Sequence, residues 1–233
     1  MNDDRPSILV WDLPTRAFHW LLALSFLGAY LSGEADGYRT LHVIFGYTVA
    51  GLLAFRLLWG IAGTRYARFS GLILSPRAAL AYAKSLWSGR PQHFTGHNPL
   101  GSWAVAALLF LLALTAASGI ANYLDLGGEA AEEVHEAAAG AALALVVLHI
   151  VAVIASSLLH RENLVRAMVT GRKPGDPAHA AAGRRVAVAL ALVAGVVMFW
   201  GGGFSLPGMR DNPGLIGAAA KPASEADREQ DDD

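Results

Sequence analysis

The sequence contains no cysteine. This absence excludes disulfide bonds, thiolate-ligated haem, iron–sulfur clusters on cysteine and the covalent attachment of c-type haem. Histidine, with eight copies, is then the obvious strong ligand for a metal. Charged residues are also scarce, at 16% of the chain against about 25% in soluble domains. The formal net charge of −1 shows no basic excess, so we predict no nucleic-acid partner.

Apolar residues, in contrast, make up 54% of the chain and gather in blocks. A helix needs about 20 apolar residues to cross the bilayer core. Five blocks approach that length, and we predict membrane spans over residues 18–32, 41–62, 102–124, 137–159 and 186–206. Such blocks with short links favour an all-α integral membrane protein over the alternative, a soluble all-α bundle. No internal repeat is evident.

The predicted fold is a four-helix bundle followed by a fifth C-terminal transmembrane helix. Residues 1–206 form the transmembrane domain, and residues 207–233 form a flexible acidic tail. No basic region with a short apolar core precedes the first block, so we expect a retained first helix rather than a cleaved signal peptide. The stretch 76–87 is predicted to be an amphipathic helix on the membrane surface, anchored by Arg77 and Lys84.

The basic residues predict the orientation in the membrane. Thirteen of them precede the first span or lie in the links between spans two and three and between spans four and five. They are Arg5, Arg16, Arg65, Arg68, Arg77, Lys84, Arg90, Arg161, Arg166, Arg172, Lys173, Arg184 and Arg185. The two remaining links hold one basic residue, Arg39, and several acids between Asp125 and Glu136. Since basic links stay inside, we expect a bacterial inner-membrane protein with a cytoplasmic N-terminus and a periplasmic C-terminus.

Four histidines lie at two depths along the predicted spans. In this orientation His19 lies near the cytoplasmic face, and His42 and His135 lie near the outer face. His149 follows His135 by fourteen residues, which places it about 21 Å deeper on almost the same helix face. We therefore predict two pairs, an outer one of His42 with His135 and an inner one of His19 with His149. Each pair would bind one six-coordinate b-type haem.

A zinc site or a proton relay would account for the four histidines less well than two haems. A zinc site needs three or four ligands at one point, which so large a separation forbids. A proton relay within the membrane usually includes carboxylates, and the predicted spans contain none. Taken singly, each histidine could be an interfacial hydrogen-bonding residue, and only the joint pattern favours haem.

Several further residues are placed to contact the predicted haems. Gly46 and Gly140 follow the outer histidines closely and could admit a porphyrin, although close helix packing is an equal alternative. Arg56 lies at the cytoplasmic end of the second span, and Arg16 lies one turn before the first histidine. Either arginine could pair with haem propionates or anchor its helix at the interface.

Four sequence blocks resemble the bacterial cytochrome b561 family, which includes the di-haem cytochrome b subunits of nickel–iron hydrogenases. The blocks are VWDLPTRAFHWLLALSF, RTLHVIFGYTVAGLLAFRLLWG, TGHNPLGSW and VHEAAAGAALALVVLHI, and the resemblance covers residues 8–174. It implies a four-helix core with two b haems. The matching axial ligands are His19, His42, His135 and His149. The resemblance also places His97 and Asn98 near the inner haem, where propionate or quinone contacts are expected.

The predicted function is electron transfer between the membrane quinone pool and a periplasmic partner, either a c-type cytochrome or a hydrogenase subunit. The quinone is expected in the cytoplasmic half, and the acidic segment 125–136 could dock a basic partner. Membrane lipid is a further partner. One alternative is a superoxide:quinone oxidoreductase, which would need a positively charged access path where only Arg39 is basic. Another is a non-redox transporter or assembly protein with structural histidines.

Overall fold

The computed structural model describes residues 6–33, 35, 37–89, 92–206, 208–209 and 212–220. Its elements are β1 (Ser7–Leu9), α1 (Leu13–Gly33), α2 (Arg39–Ala62), α3 (Pro76–Trp87), α4 (Pro99–Tyr123), α5 (Gly128–His160), α6 (Leu164–Thr170), β2 (Arg172–Pro174), α7 (Val186–Trp200) and α8 (Gly214–Ala220). Short 3-10 turns cover Phe69–Gly71 and Pro177–His179. The two strands pair antiparallel, with Ile8 opposite Lys173. The prediction of an all-helical core is confirmed.

The long helices form two pairs. α1 packs along α2 and α4 packs along α5, the two pairs meet mainly through α2 and α4, and α7 lies against α1. Apolar side chains fill the contact between the pairs: Val49 and Leu53 of α2 are buried with Leu112 of α4 and Ala142 of α5. Val196 of α7 belongs to a neighbouring buried cluster. The bundle is therefore built from two helical hairpins, α1–α2 and α4–α5, with α7 at its side.

Three of the described helices, α2, α4 and α5, are long and apolar enough to cross a bilayer. Only 11% of the most apolar stretch of α4 and 6% of that of α5 lie buried within the protein. Apolar faces of this extent require lipid around them, so the chain is embedded in a membrane. α1, which contains Arg16 and His19, does not meet the same criterion of length and hydropathy. α7 is apolar but has only 15 residues. The arrangement of four spans plus one stays a prediction.

Capping residues set helix boundaries that hydropathy does not reveal. α1 begins at residue 13 rather than 18, because the Asp12 carboxylate accepts the backbone N–H of Thr15 at 2.8 Å. α4 begins at residue 99 rather than 102, because the Asn98 side chain accepts the N–H of Gly101 at 2.7 Å and a proline follows it at the first helical position. Both helices therefore reach further toward the membrane surface than their apolar cores.

Two further predicted boundaries, like the start of α1, are wrong by more than one turn. α5 begins at Gly128 rather than at 137, so the acidic segment up to Glu136 forms its first turns instead of a loop. Carboxylates in the first turn, such as Glu129, interact favourably with the helix dipole. α7 ends at Trp200 rather than at 206, and the glycines that follow form a turn. Gly202 there has φ +78°, a left-handed conformation that favours glycine.

Three segments of the chain converge at one end of the bundle, which we call the basic end. β1 and β2 join the N-terminal segment to the α6–α7 region. The Tyr66 hydroxyl donates to the carbonyl of His179 at 2.8 Å, which ties the α2–α3 connection to the same region. Lys173 pairs with Glu162 at 3.1 Å and reaches the carbonyl of Phe94 at 3.4 Å. Most of the basic residues that predict the orientation therefore lie at this one end.

The helix predicted at 76–87 is confirmed as α3, capped by Ser75, and its position on the membrane surface stays a prediction. Its Tyr82 is only 1% exposed and faces the bundle. Leu80 and Trp87 are exposed, Trp87 by 96%, and they lie on the same side as Lys84. An apolar face with a basic residue beside it suits the headgroup layer of a bilayer.

The opposite end of the bundle, which we call the acidic end, contains the first turns of α5 and the helix α8. α8 packs against the start of α2, where Ala218 is buried with Ile44 and Phe199. Residues 207–233 were expected to be a flexible tail, and this short helix lies within them. Residues 221–233 are outside the described residues, and the domain boundary at 206 stays a prediction.

Candidate haem-binding sites

The structure brings His42 of α2 and His135 of α5 together at the acidic end. Their ring centres are 5.8 Å apart and the ring planes are inclined by 78°. An imidazole nitrogen lies about 2 Å from a bound first-row metal. Two imidazoles on opposite sides of one iron therefore have their centres roughly 6 Å apart. The observed separation fits two axial ligands of one haem.

The hydrogen bonds of these two rings also fit metal binding. His42 Nδ1 lies 2.8 Å from the carbonyl oxygen of Ala29, and His135 Nδ1 lies 2.8 Å from that of Thr115. A carbonyl oxygen only accepts, so each Nδ1 carries the proton. Each Nε2 then holds the free lone pair that a metal needs, and the hydrogen bond fixes the ring orientation.

Each of the two rings packs against a glycine of the neighbouring helix. A Cβ on Gly33 would lie 2.9 Å from His42 Nδ1, and a Cβ on Gly119 would lie 2.7 Å from the His135 ring. Because both distances are shorter than real Cβ contacts, a larger residue would displace the ring. Glycine at these positions allows each imidazole to reach the backbone of α1 or α4.

These contacts reveal a local repeat between the two hairpins. In each hairpin a Ser-Gly dipeptide lies in the last turns of the first helix. The carbonyl that accepts the hydrogen bond of the histidine lies four residues before the glycine. Ser32 donates to the carbonyls of Gly28 and Ala29, and Ser118 donates to the corresponding carbonyls on α4. Sequence reasoning missed this repeat because the histidine follows the dipeptide at different distances in the two hairpins.

The inner pair is arranged differently. His19 of α1 lies within electrostatic range of His149 of α5, but no ring contact joins them among the described residues. His19 Nδ1 is buried and has no hydrogen-bond partner in the described part of the chain. An unsatisfied buried nitrogen costs about 1–3 kcal/mol, so a group that is not part of the chain would stabilise this position. The inner haem and its ligands His19 and His149 stay a prediction.

Both predicted propionate partners have a buried nitrogen without an acceptor among the residues that the structure describes. Arg56 is 4% exposed, its guanidinium lies 4.6 Å from the centre of the Phe69 ring, and its Nη1 has no partner in that part of the chain. Arg16 donates through Nη1 to the carbonyl of Val169, and its Nε likewise has no partner among the described residues. A buried guanidinium nitrogen without an acceptor is costly. An anionic group from outside the chain, such as a haem propionate, fits these two donors.

His97 and Asn98 lie at the basic end, where α4 begins. His97 packs on Trp11, with ring centres 4.7 Å apart. Burial, together with the nearby charges of Arg56 and Lys173, lowers the pKa of His97 to about 4, so the ring is neutral at neutral pH. The Asn98 side-chain oxygen is used as the cap of α4, which leaves its amide N–H groups for any contact with a ligand.

The glycines predicted to admit a porphyrin have room beside them. A Cβ added to Gly46 or to Gly140 would meet no atom within 4 Å. Gly46 is partly buried on α2, and Gly140 is exposed on α5. Neither glycine is required by close packing against a neighbouring helix, so the packing alternative is disfavoured and the haem contact stays a prediction.

A cavity of about 310 Å³ adjoins His97 at the basic end. Its wall combines aromatic and polar side chains. They include Arg65, Tyr66, Ile73, Phe94, His97 and His179. Ligand cavities typically begin near this volume. The apolar and hydrogen-bonding groups of the wall suit an aromatic ring that carries polar oxygens.

Two histidines form a separate cluster away from the predicted haems. His160 Nδ1 lies 3.3 Å from His93 Nδ1, and the Tyr82 hydroxyl donates to His160 Nε2 at 3.0 Å. These hydrogen bonds satisfy both nitrogens of His160. The cluster connects α3 to the end of α5, and exposed His93 is a suitable control position for experiments on the haem ligands.

Replacing Gly119 with alanine is expected to lower the occupancy of the outer haem. The new Cβ would meet the His135 ring at 2.7 Å and push it from its carbonyl acceptor, while both histidines remain. Gly51→Ala is the matched control, because a Cβ at this exposed position on α2 meets nothing within 4 Å. Haem content per chain is the measurement. Equal haem content in the two variants would contradict the contact.

Comparisons with known proteins indicate the family to which the chain belongs. Residues 10–171 match the family described as prokaryotic cytochrome b561. A relative from Azotobacter vinelandii, named "Probable Ni/Fe-hydrogenase B-type cytochrome subunit", is 31% identical over 147 residues, which are 51% of this chain and 60% of the relative. A similarly named protein of Rhizobium leguminosarum bv. viciae is 23% identical over 73% of this chain and 90% of its own length.

A third relative, the "Probable Ni/Fe-hydrogenase 1 B-type cytochrome subunit" of Escherichia coli K12, is 28% identical over 53% of this chain and 63% of its own length. The chain thus spans less than two thirds of the Azotobacter and Escherichia relatives. No solved structure matches. The family match covers more than half of the chain and includes all four predicted ligands. The chain belongs to the prokaryotic cytochrome b561 family, whose b-type cytochromes are membrane electron carriers with haem b as the implied cofactor.

Proposed function

We propose that this protein is a di-haem membrane cytochrome b that carries electrons between the quinone pool and a redox partner at the acidic end. The contact between His42 and His135 is the observation that carries the proposal. The ring centres lie 5.8 Å apart, and both Nδ1 protons are held by backbone carbonyls, which leaves each Nε2 lone pair free for a metal. Haem b, when bound, supplies a one-electron centre whose potential depends on its ligands and its burial.

The residues of the chain hold two such centres at different depths. His135 and His149 lie on one continuous helix, α5, at an offset of about 21 Å. His42 faces the first of them, and His19 lies in range of the second. The apolar contact of Val49, Leu53 and Leu112 lies among the same helices and excludes water. Electrons can therefore cross most of the bilayer core within one chain.

The quinone is proposed to bind at the basic end. The cavity beside His97 has a wall of aromatic and polar groups, and neutral His97 could accept a hydrogen bond from a quinol hydroxyl or donate one to a quinone oxygen. The basic end also contains most of the lysines and arginines. Under the positive-inside rule it faces the cytoplasm, so the acidic end faces the periplasm.

The partner at the acidic end is proposed to be a nickel–iron hydrogenase. The named relatives from Azotobacter, Rhizobium and Escherichia are all called cytochrome subunits of such enzymes. Acidic side chains in the first turns of α5 lie close to His135, where a partner would exchange electrons with the outer haem. A c-type cytochrome is the competing partner. Family membership disfavours a non-redox transporter, and Arg39 alone gives little positive charge to attract superoxide.

Reconstitution of the chain into vesicles with quinone and the hydrogenase of the same organism tests this proposal. We expect hydrogen-dependent reduction of quinone only when the haem-loaded chain is present, since it connects the two reactants. A c-type cytochrome added in place of the hydrogenase should exchange electrons more slowly. Faster exchange with the cytochrome would reverse the choice of partner. A purified chain without the Soret and α bands of reduced haem b would refute the electron-carrier role itself.

A further inference from the structure

Asp12 is a buried carboxylate that neither haem site uses directly. It is 1% exposed and lies between β1 and α1, at the basic end. Its oxygens accept three hydrogen bonds. The donors are the backbone N–H of Thr15 at 2.8 Å, the indole N–H of Trp59 at 3.1 Å and the hydroxyl of Thr64 at 2.6 Å. These donors satisfy the buried carboxylate without the help of a cation.

All three donors of Asp12 are neutral groups. Among the described residues no ion pair joins Asp12 to an arginine, although its charge acts on both Arg16 and Arg56. The carboxylate is therefore close enough to compensate their charge but does not occupy their N–H groups. Lys173 differs, because its ammonium is paired directly with Glu162 at 3.1 Å.

The two arginines near Asp12 each have a guanidinium nitrogen that could bind an anion. Arg56 Nη1 and Arg16 Nε are buried and have no acceptor within the described part of the chain. Arg56 and His149 both act electrostatically on His97, which places Arg56 in the same part of the bundle as His149. Trp59, which donates to Asp12, follows Arg56 by three residues on the same face of α2. The position of Asp12 is thus linked to that of Arg56 through one helical turn.

We infer that Asp12 is a positioning residue that balances the charge of Arg16 and Arg56 from a distance and leaves their N–H groups free for the propionates of the inner haem. This inference rests on the proposed function and adds a residue to it. Because the three neutral donors occupy its oxygens, the carboxylate does not compete with a propionate for the N–H groups of the arginines. Its negative charge also stabilises the oxidised, more positive form of a haem bound nearby, and so lowers the potential of that haem.

The test is a spectroelectrochemical titration of both haems in the full-length purified protein. Asp12→Asn removes the charge with little change of shape. We expect the midpoint potential of the inner haem to rise and that of the outer haem to stay near its original value. Thr64→Val is the matched control, because it removes one donor to Asp12 and keeps the carboxylate. Its potentials should stay near those of the original protein, even if its thermal stability falls.

The outcomes separate this inference from the proposed function. If the original protein binds two haems but Asp12→Asn leaves the midpoint potential of the inner haem unchanged, the proposed role of Asp12 is overturned. The proposed function of the protein would not be affected by that result. An equal shift in Thr64→Val would make Asp12 a purely structural residue. Absence of haem from the original protein would instead refute the proposed function. If Asp12→Asn does not fold, Asp12→Ser carries the same expectation, since serine caps α1 without a charge.

Discussion

His135→Ala is expected to halve the haem content of the purified chain, from two haems to one. The variant loses one axial ligand of the outer site, and His42 on α2 is left without the ring that it faces at 5.8 Å. A b-type haem has no covalent link to the chain, so the loss of a ligand releases it. The inner haem should stay, because His149 lies about 21 Å away on the same helix. Haem extraction against protein concentration is the measurement.

Two further variants make this expectation specific. His42→Ala should give the same product as His135→Ala, with the same remaining spectrum, because both histidines belong to one site. His93→Ala should retain both haems, since His93 contacts His160 at the surface rather than either predicted haem ligand. If the spectrum of the haem that remains in His42→Ala differs from that in His135→Ala, the two histidines do not bind the same haem.

Hydropathy predicted the helical membrane fold, and histidine positions predicted the contact between His42 and His135. Long apolar stretches must become helices in a membrane, because no water is present to satisfy the backbone. Their order and direction then bring residues at equal depth together, and His42 and His135 meet in this way. Five residue blocks and four histidines were sufficient for this prediction because the bilayer restricts the possible topologies so strongly.

The supporting contacts could not be predicted in the same way. Gly33 and Gly119 are recognisable only when the helix that approaches each of them is known. The start of α5 at Gly128 depends on the local choice between loop and helix for an acidic segment, and hydropathy does not decide this choice. Asp12 gains two of its three donors from residues 47 and 52 positions away in the chain, so its role follows from the fold and cannot be recognised from its sequence neighbours alone.

His149→Leu is expected to remove the inner haem and to abolish quinol-dependent reduction of the outer one. Leucine fills a similar volume and suits a membrane helix, so α5 should keep its position and the contact of His42 with His135 should persist. With the quinone at the basic end, the remaining gap from the quinone cavity to the outer haem spans most of the bilayer core. The measurement is reduction of haem by a quinol analogue, followed by absorbance.

A chemical reductant separates the loss of the inner haem from general damage to the protein. Dithionite reaches every haem, so it should still reduce the outer haem of His149→Leu fully, with an unchanged spectrum. Quinol-dependent reduction that persists in this variant would place the quinone beside the outer haem, at the acidic end. In that case the cavity next to His97 would serve another ligand, and substitution of His135 would be the change that stops electron entry.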